Sequence, residues 1–383
     1  MTRREWIAAN AFLFSTLTAC RRSMPTGYPG YALISTSADN SLGVVDLATF
    51  SLLKPIALTA PPSAVVPGPN ASYALTPASG SIHAISGDLK VLRSQKLADE
   101  LSEIRLTAGG ERLFAIAARG RELIEADPET LKPLRRYRLG MEPAALDVAA
   151  PAAGSKAASY VAVSGGKGGT VELFDWAAGR RFKSELPRQV GAVRFRGDNQ
   201  VLLAAGAGNP TLTAIAVPSL QVIVELPLGM QPRNLCFTPN GGQLFISGSG
   251  MDAVAIVFPF NTIEVDETIL AGRDPGVMAC TKTPLSYLFV GSGSGSDVCI
   301  LDVATRAMIG VVDVGSVPTY IAITPDNQYA LILDEAAGSM AAIRIPSIRR
   351  AWSNMAQRSG ASLFTVLSVG DKPVHAAVVP RQA

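Results

Sequence analysis

A strand of the form Tyr329-Ala330-Leu331-Ile332 returns along almost the whole chain, and this recurrence limits the fold more than any other feature. Its relatives are YALI at Tyr31, YALT at Tyr73, RLFA at Arg112, YVAV at Tyr160, QVLL at Gln200, QLFI at Gln243 and YLFV at Tyr287. The steps between these anchors are 42, 39, 48, 40, 43, 44 and 42 residues. Between them run short apolar segments, alternating or continuous, with no long stretch of helical periodicity. A unit of about forty residues made only of strands cannot cover its own faces, so it must stack on its neighbours. That predicts an all-β propeller with four strands to each blade.

Each unit reads alike. A first strand such as Pro318 to Thr324 meets a turn rich in Pro, Asn, Asp or Gly, for example Thr238-Pro239-Asn240-Gly241. The anchor strand follows, then a Gly/Ser-rich loop such as SGGKGG from Ser164. A third strand ends in VVDLAT at Val44, IEADPET at Ile124, LFDWAAG at Leu173 or ILDVAT at Ile300, and a fourth closes the unit. Asp46, Asp127, Asp175 and Asp302 in those endings read as turn builders, because a carboxylate before a tight turn accepts hydrogen bonds from the turn's amides. The pattern Pro-x-x-apolar-Ala-x-Thr-Pro-Asp, an aromatic-apolar strand, then apolar-apolar-Asp-x-Ala-Thr resembles the YVTN-type β-propeller repeat, over almost everything from Tyr31 to Pro380. HAISGDL from His83 and TAIAVPSL from Thr213 depart from it by lacking the Asp. The resemblance implies a fold and leaves function open.

A first strand precedes each anchor from Tyr73 to Tyr329, and the C-terminal PVHAAVVP from Pro373 is one more, whereas the Tyr31 unit has none of its own. The economical solution gives the C-terminal strand to the N-terminal blade, which closes the ring and removes two exposed sheet edges. The count is then eight blades; seven is the alternative if the unit around His83 is a degenerate fragment. The segment from Arg349 to Gly360 reads as an insertion with a short helical turn.

The first residues, MTRREWIAANAFLFSTLTACRRS, carry the parts of an export signal: basic Arg3 and Arg4, an apolar run too short to span a bilayer, and small residues before a Cys. Leu17-Thr18-Ala19-Cys20 resembles a bacterial lipobox, which implies cleavage before Cys20 and lipid on its sulfur; Thr2 to Ile7 also resembles a twin-arginine motif. The expected division is a signal peptide over 1–19, a lipidated tether over 20–30 and one propeller over 31–383. The expected place is a bacterial membrane, with Arg21 after the Cys pointing to the outer one. A net charge of +3 without basic runs argues against nucleic acid.

Strand parity puts the inter-blade loops and the Gly/Ser loops on one face and the Pro-Asp turns on the other. The first face is the candidate surface, since its loops are not spent on turn building. Its inner rim carries Glu142, Arg188, Arg233, Arg273, Asp274, Asp371 and Lys372, with His375 near the channel mouth. This mixed rim suits an anion or an acidic partner and equally suits a solvated surface. The only two histidines, His83 and His375, read as packed residues. No Cys-x-x-Cys-His is present, which argues against covalently attached haem, and no spacing suggests a metal, a phosphate loop or a nucleophile elbow. Cys236, Cys280 and Cys299 are expected as buried free thiols, the first two at equivalent places in adjacent units. No catalytic residue or cofactor is expected. The reading is a monomeric, membrane-anchored binding or scaffold module for a protein or cell-envelope ligand. The alternative is a propeller enzyme, either a lactonase or hydrolase, or an oxidoreductase subunit with a non-covalent cofactor. If the lipobox works, Cys20→Ala releases the protein from the membrane fraction or leaves it unprocessed; unchanged retention in fractionation refutes the anchor.

Overall fold

Residues 27–150, 159–260, 262–348 and 363–381 are described by the structure, a computed structural model. Cys20, the rest of the expected export signal and the expected insertion at Arg349 to Gly360 lie outside them. Eight antiparallel sheets follow one another around a single axis, seven of four strands and one of five. The innermost strands touch in a closed cycle, from blade 1 through blade 8 and back to blade 1. The molecule is an eight-bladed β-propeller. The His83 unit is a complete blade, with strands Ala64–Pro67, Ser72–Thr76, Ser81–Ile85 and Val91–Lys96.

Blade 1 is assembled from both ends of the chain. The strand Pro373–Pro380 is its innermost member and pairs antiparallel with Gly30–Thr36, which pairs on its other side with Ser41–Asp46. Arg381 secures the junction by donating to Tyr31 Oη at 2.9 Å and Asp46 Oδ2 at 2.7 Å. Phe50 of blade 1 packs edge-on against Tyr329 and Phe364 of blade 8, with centroids 4.8 and 5.0 Å away.

Second and third strands are continuous apolar runs because both of their faces are covered. Leu113–Ala117 and Tyr329–Asp334, for example, are buried at every position. Eight apolar clusters result, one at each seam between neighbouring blades. The outermost strands touch water, and Glu264–Leu270 alternates exposed and half-buried residues along its length. The third-strand carboxylates build turns as expected. Asp46 accepts from Ala48 N, Asp127 from Thr130 N, Asp175 from Ala178 N and Asp302 from Ala304 N, all within 3.0 Å. Where Asp46, Asp127 and Asp302 turn the chain, Phe50, Leu131 and Arg306 follow with φ between 52° and 59°, a left-handed conformation that the preceding carboxylate helps to hold.

Removing Pro373 to Ala383 exposes the edge of Gly30–Thr36 and the apolar surface now covered by Ala376, Ala377 and Val379. The expected loss is about 3 kcal/mol or more. A thermal unfolding midpoint unmoved by the truncation rules out this closure.

Candidate functional site

Innermost strands sit between two environments. Their outward edges pair with the second strand, and their other edges face the central channel with no sheet partner. Backbone groups on such an edge need partners from elsewhere. In this ring several are supplied by side chains of the preceding blade. Glu103 Oε2 of blade 3 accepts from Leu146 N of blade 4 at 3.0 Å, while Arg105 Nε donates to Leu146 O at 3.4 Å. Asp147 Oδ2 of blade 4 accepts from Phe195 N of blade 5 at 2.7 Å. Asn234 Nδ2 of blade 6 donates to Gly276 O of blade 7 at 3.0 Å.

The pairing register shows how these residues come together. Arg105, Asp147, Arg194 and Cys236 stand opposite Phe114, Ala162, Leu203 and Phe245, which hold one equivalent position in blades 3 to 6. Two residues nearer the loop face lie Glu103, Asn234, Tyr320 and His375. Elsewhere the same strands offer small or apolar groups, such as Ala64, Val277, Ala279 and Ala322. The channel wall is therefore two-sided, ionic along blades 3 to 5 and apolar with two rings along blades 7, 8, 1 and 2.

Two ion pairs organise the ionic side. Arg105 lies 2.7 Å from Glu103, and Arg194 lies 3.6 Å from Asp147. About one third of each arginine side chain stays accessible, 34% and 33%. Burial pushes the carboxyls of Glu103 and Asp147 above the ordinary range, against the pull of the arginines. Across the channel, the rings of Tyr320 and His375 are 4.3 Å apart at an interplanar angle of 38°. Burial raises the Tyr320 hydroxyl, while burial and then the charge of Arg105 push His375 down to about 4. Arg105 thus acts on blades 8 and 1 from blade 3, which a guanidinium pointing into the shared channel does.

Of the rim residues named from the sequence, Arg233 and Asp274 come together from adjacent blades, at 3.8 Å. Glu142 pairs with Lys167 at 3.9 Å and Arg188 with Glu225 at 2.6 Å. Arg273 gives its carbonyl to Ser292, Lys372 gives its carbonyl to Ser37 N, and Asp371 N donates to Asp39. Of the eight residues, His375 alone belongs to the channel cluster. His83 is a packed residue, bonded to Thr76 Oγ1 at 3.1 Å and Ser94 Oγ at 2.7 Å. Glu103, Arg105, Asp147, Arg194 and Tyr320 were not singled out by sequence. Their signal was the charge in EIRL, ALDV and VRF, where sister strands read YIAI or AAVV.

Contrary to the expectation from sequence, Cys236 and Cys280 are not equivalent: Cys236 pairs with Phe245, the counterpart of Phe289, whereas Cys280 pairs with Leu288. That one-residue offset turns the two side chains to opposite faces of their strands, and hence towards each other. Cys236 Sγ lies 3.6 Å from Cys280 Sγ. Cys299 is buried and free, its thiol pushed up to about 11 by burial and the nearby Asp297.

Among solved structures, the ring is similar to dihydro-heme d1 dehydrogenase NirN in complex with DHE. The TM-score is 0.73 at 13% identity, over 91% of this chain and 75% of that one. It is also similar to Kuenenia stuttgartiensis hydrazine synthase, with TM-score 0.58 and 15% identity over 74% of this chain and 95% of that one. The β-propeller domain of Myceliophteria thermophila Cps50 (Swd1) matches at 0.57 and 11% identity, over 72% and 93%. At such identities the likeness shows the fold. No curated protein and no protein-family profile matches the sequence. Among the described residues no helix is long and apolar enough to cross a membrane.

His375 generates a pH prediction. It is neutral in the folded chain down to about pH 4, whereas in the unfolded chain it takes a proton near pH 6.5. Its contribution to stability is present above pH 6.5 and is lost as pH falls towards 4, by no more than about 3 kcal/mol. Urea unfolding between pH 7 and 4 should fall more steeply for the parent than for His375→Gln; parallel curves contradict the neutral buried imidazole.

Proposed function

We propose that this chain is a non-catalytic binding module, held at a bacterial membrane by lipid on Cys20, which captures a ligand with an acidic group in its central channel. The observation that carries the reading is the pair of arginines, Arg105 and Arg194, left one-third accessible on one wall and opposed by an apolar wall. An anionic edge would meet guanidinium donors, and a flat apolar body would lie against Tyr320 and His375. The loop-rich face, with Arg233 and Asp274 at its rim, is then the approach side, available to a protein or envelope component carrying such a group. The likeness of the repeat to the YVTN type accords with an extracytoplasmic role.

A second reading is an oxidoreductase subunit with a non-covalently held cofactor in the same channel. It is favoured by the Tyr320–His375 ring pair, a fitting wall for a planar group, and by the DHE held by the similar NirN. Arg105 and Arg194 would hold an anionic edge of that group, and the group would supply the redox chemistry. An absorption band beyond the aromatic region, in protein purified from its native host, would favour this reading over the first.

The binding site itself is tested with an aromatic carboxylate probe, 2-naphthoate, in equilibrium titrations. Arg105→Ala with Arg194→Ala should weaken the probe at least tenfold, about 1.4 kcal/mol. While the probe's own carboxyl stays ionised, affinity should rise as pH falls, because protonating Glu103 and Asp147 removes negative charge beside the arginines while the arginines keep theirs. Binding unaffected by the double substitution discards the channel as the site.

A further inference from the structure

The seam between blades 6 and 7 differs from the others where it meets the channel. Its inner strands, Gln231–Phe237 and Pro275–Cys280, present two thiols to each other with 3.6 Å between sulfurs. Both residues are half-buried, and Cys280, unlike Cys236, also lines a cavity of about 160 Å³ with Thr238, Pro239, Thr281 and Tyr287. A disulfide needs the sulfurs at about 2.05 Å, a closure of roughly 1.5 Å from the separation seen. A metal site is disfavoured by the donors: among the described residues, no group of three or more His, Cys, Asp or Glu is placed to hold an ion.

We infer that Cys236 and Cys280 form a reversible dithiol–disulfide couple that staples blade 6 to blade 7 beside the channel. Contact with Cys280 pulls the Cys236 thiol down, while the same contact and then burial raise Cys280. With oxidised glutathione as oxidant, the thiolate of either residue attacks one glutathione sulfur and expels one glutathione thiolate. The other residue, deprotonated, then attacks the protein sulfur of the mixed disulfide and expels the second. One S–S bond forms and one breaks. The two thiol protons end on two molecules of glutathione, which take up the two electrons. The couple does not depend on whether the channel holds a ligand, and the redox poise of its surroundings sets which form prevails.

The test is a peptide map of the full chain after equilibration with oxidised glutathione, with alkylation under denaturing conditions. The expected result is a single linked peptide pair, Cys236 to Cys280, lighter by two hydrogens, with Cys299 fully alkylated. Alkylation of Cys236 and Cys280 should drop at least tenfold and return on reduction. Cys299→Ser should leave the link in place, and Cys236→Ser or Cys280→Ser should abolish it. If either variant does not fold, the map of the parent protein decides alone. Full alkylation of both residues, glutathione adducts without a link, or a link through Cys299 would each overturn the inference.

Discussion

Closure of the ring by the chain's own end is the constraint on which the rest depends. A blade is stable because both of its faces are covered, and a covered face exists for every blade only when the row of blades has no first and last member. Pairing Pro373–Pro380 with Gly30–Thr36 supplies that condition, and the Phe50, Tyr329 and Phe364 contacts cover the seam where the two ends of the row meet. The fully apolar second and third strands are tolerable only in this arrangement. In an open row two such faces would stand in water.

Closure also creates the channel and its chemistry. Eight inner edges are brought around one axis, and their backbone groups are deprived of a sheet partner. Side chains that serve these edges are polar by necessity, so the channel acquires charges that serve architecture first. Glu103 and Asp147 are held by the amides of the next blade, and their carboxylates in turn hold Arg105 and Arg194. The arginines keep donors in excess of these contacts, and this surplus is what recognition can use.

The fold was legible in the sequence because its signal is repeated. Period, turn chemistry and the orphan strand at the C-terminus each pointed to the same wheel, and the Asp corners behaved as turn builders. The site was less legible, since a loop-face rim can be placed by parity alone while convergence cannot. Arg105 and Asp147 meet their partners across blade boundaries, at separations of 41 and 48 residues in the chain. No local pattern reports such a meeting. The thiols escape a sequence reading for a related reason: a unit length of 44 against an inner-strand offset of 43 at that point decides which face each sulfur takes, and a strand reverses its faces at every residue.

The place where the chain enters the ring has a mechanical consequence. Gly30–Thr36 is an interior strand of its blade, gripped on one side by Ser41–Asp46 and on the other by Pro373–Pro380. A pull transmitted through the residues ahead of Gly27 loads both ladders in shear, so that many hydrogen bonds resist together, where an edge strand would peel one rung at a time. A wheel entered through an interior strand therefore meets a load at that point with two ladders instead of one.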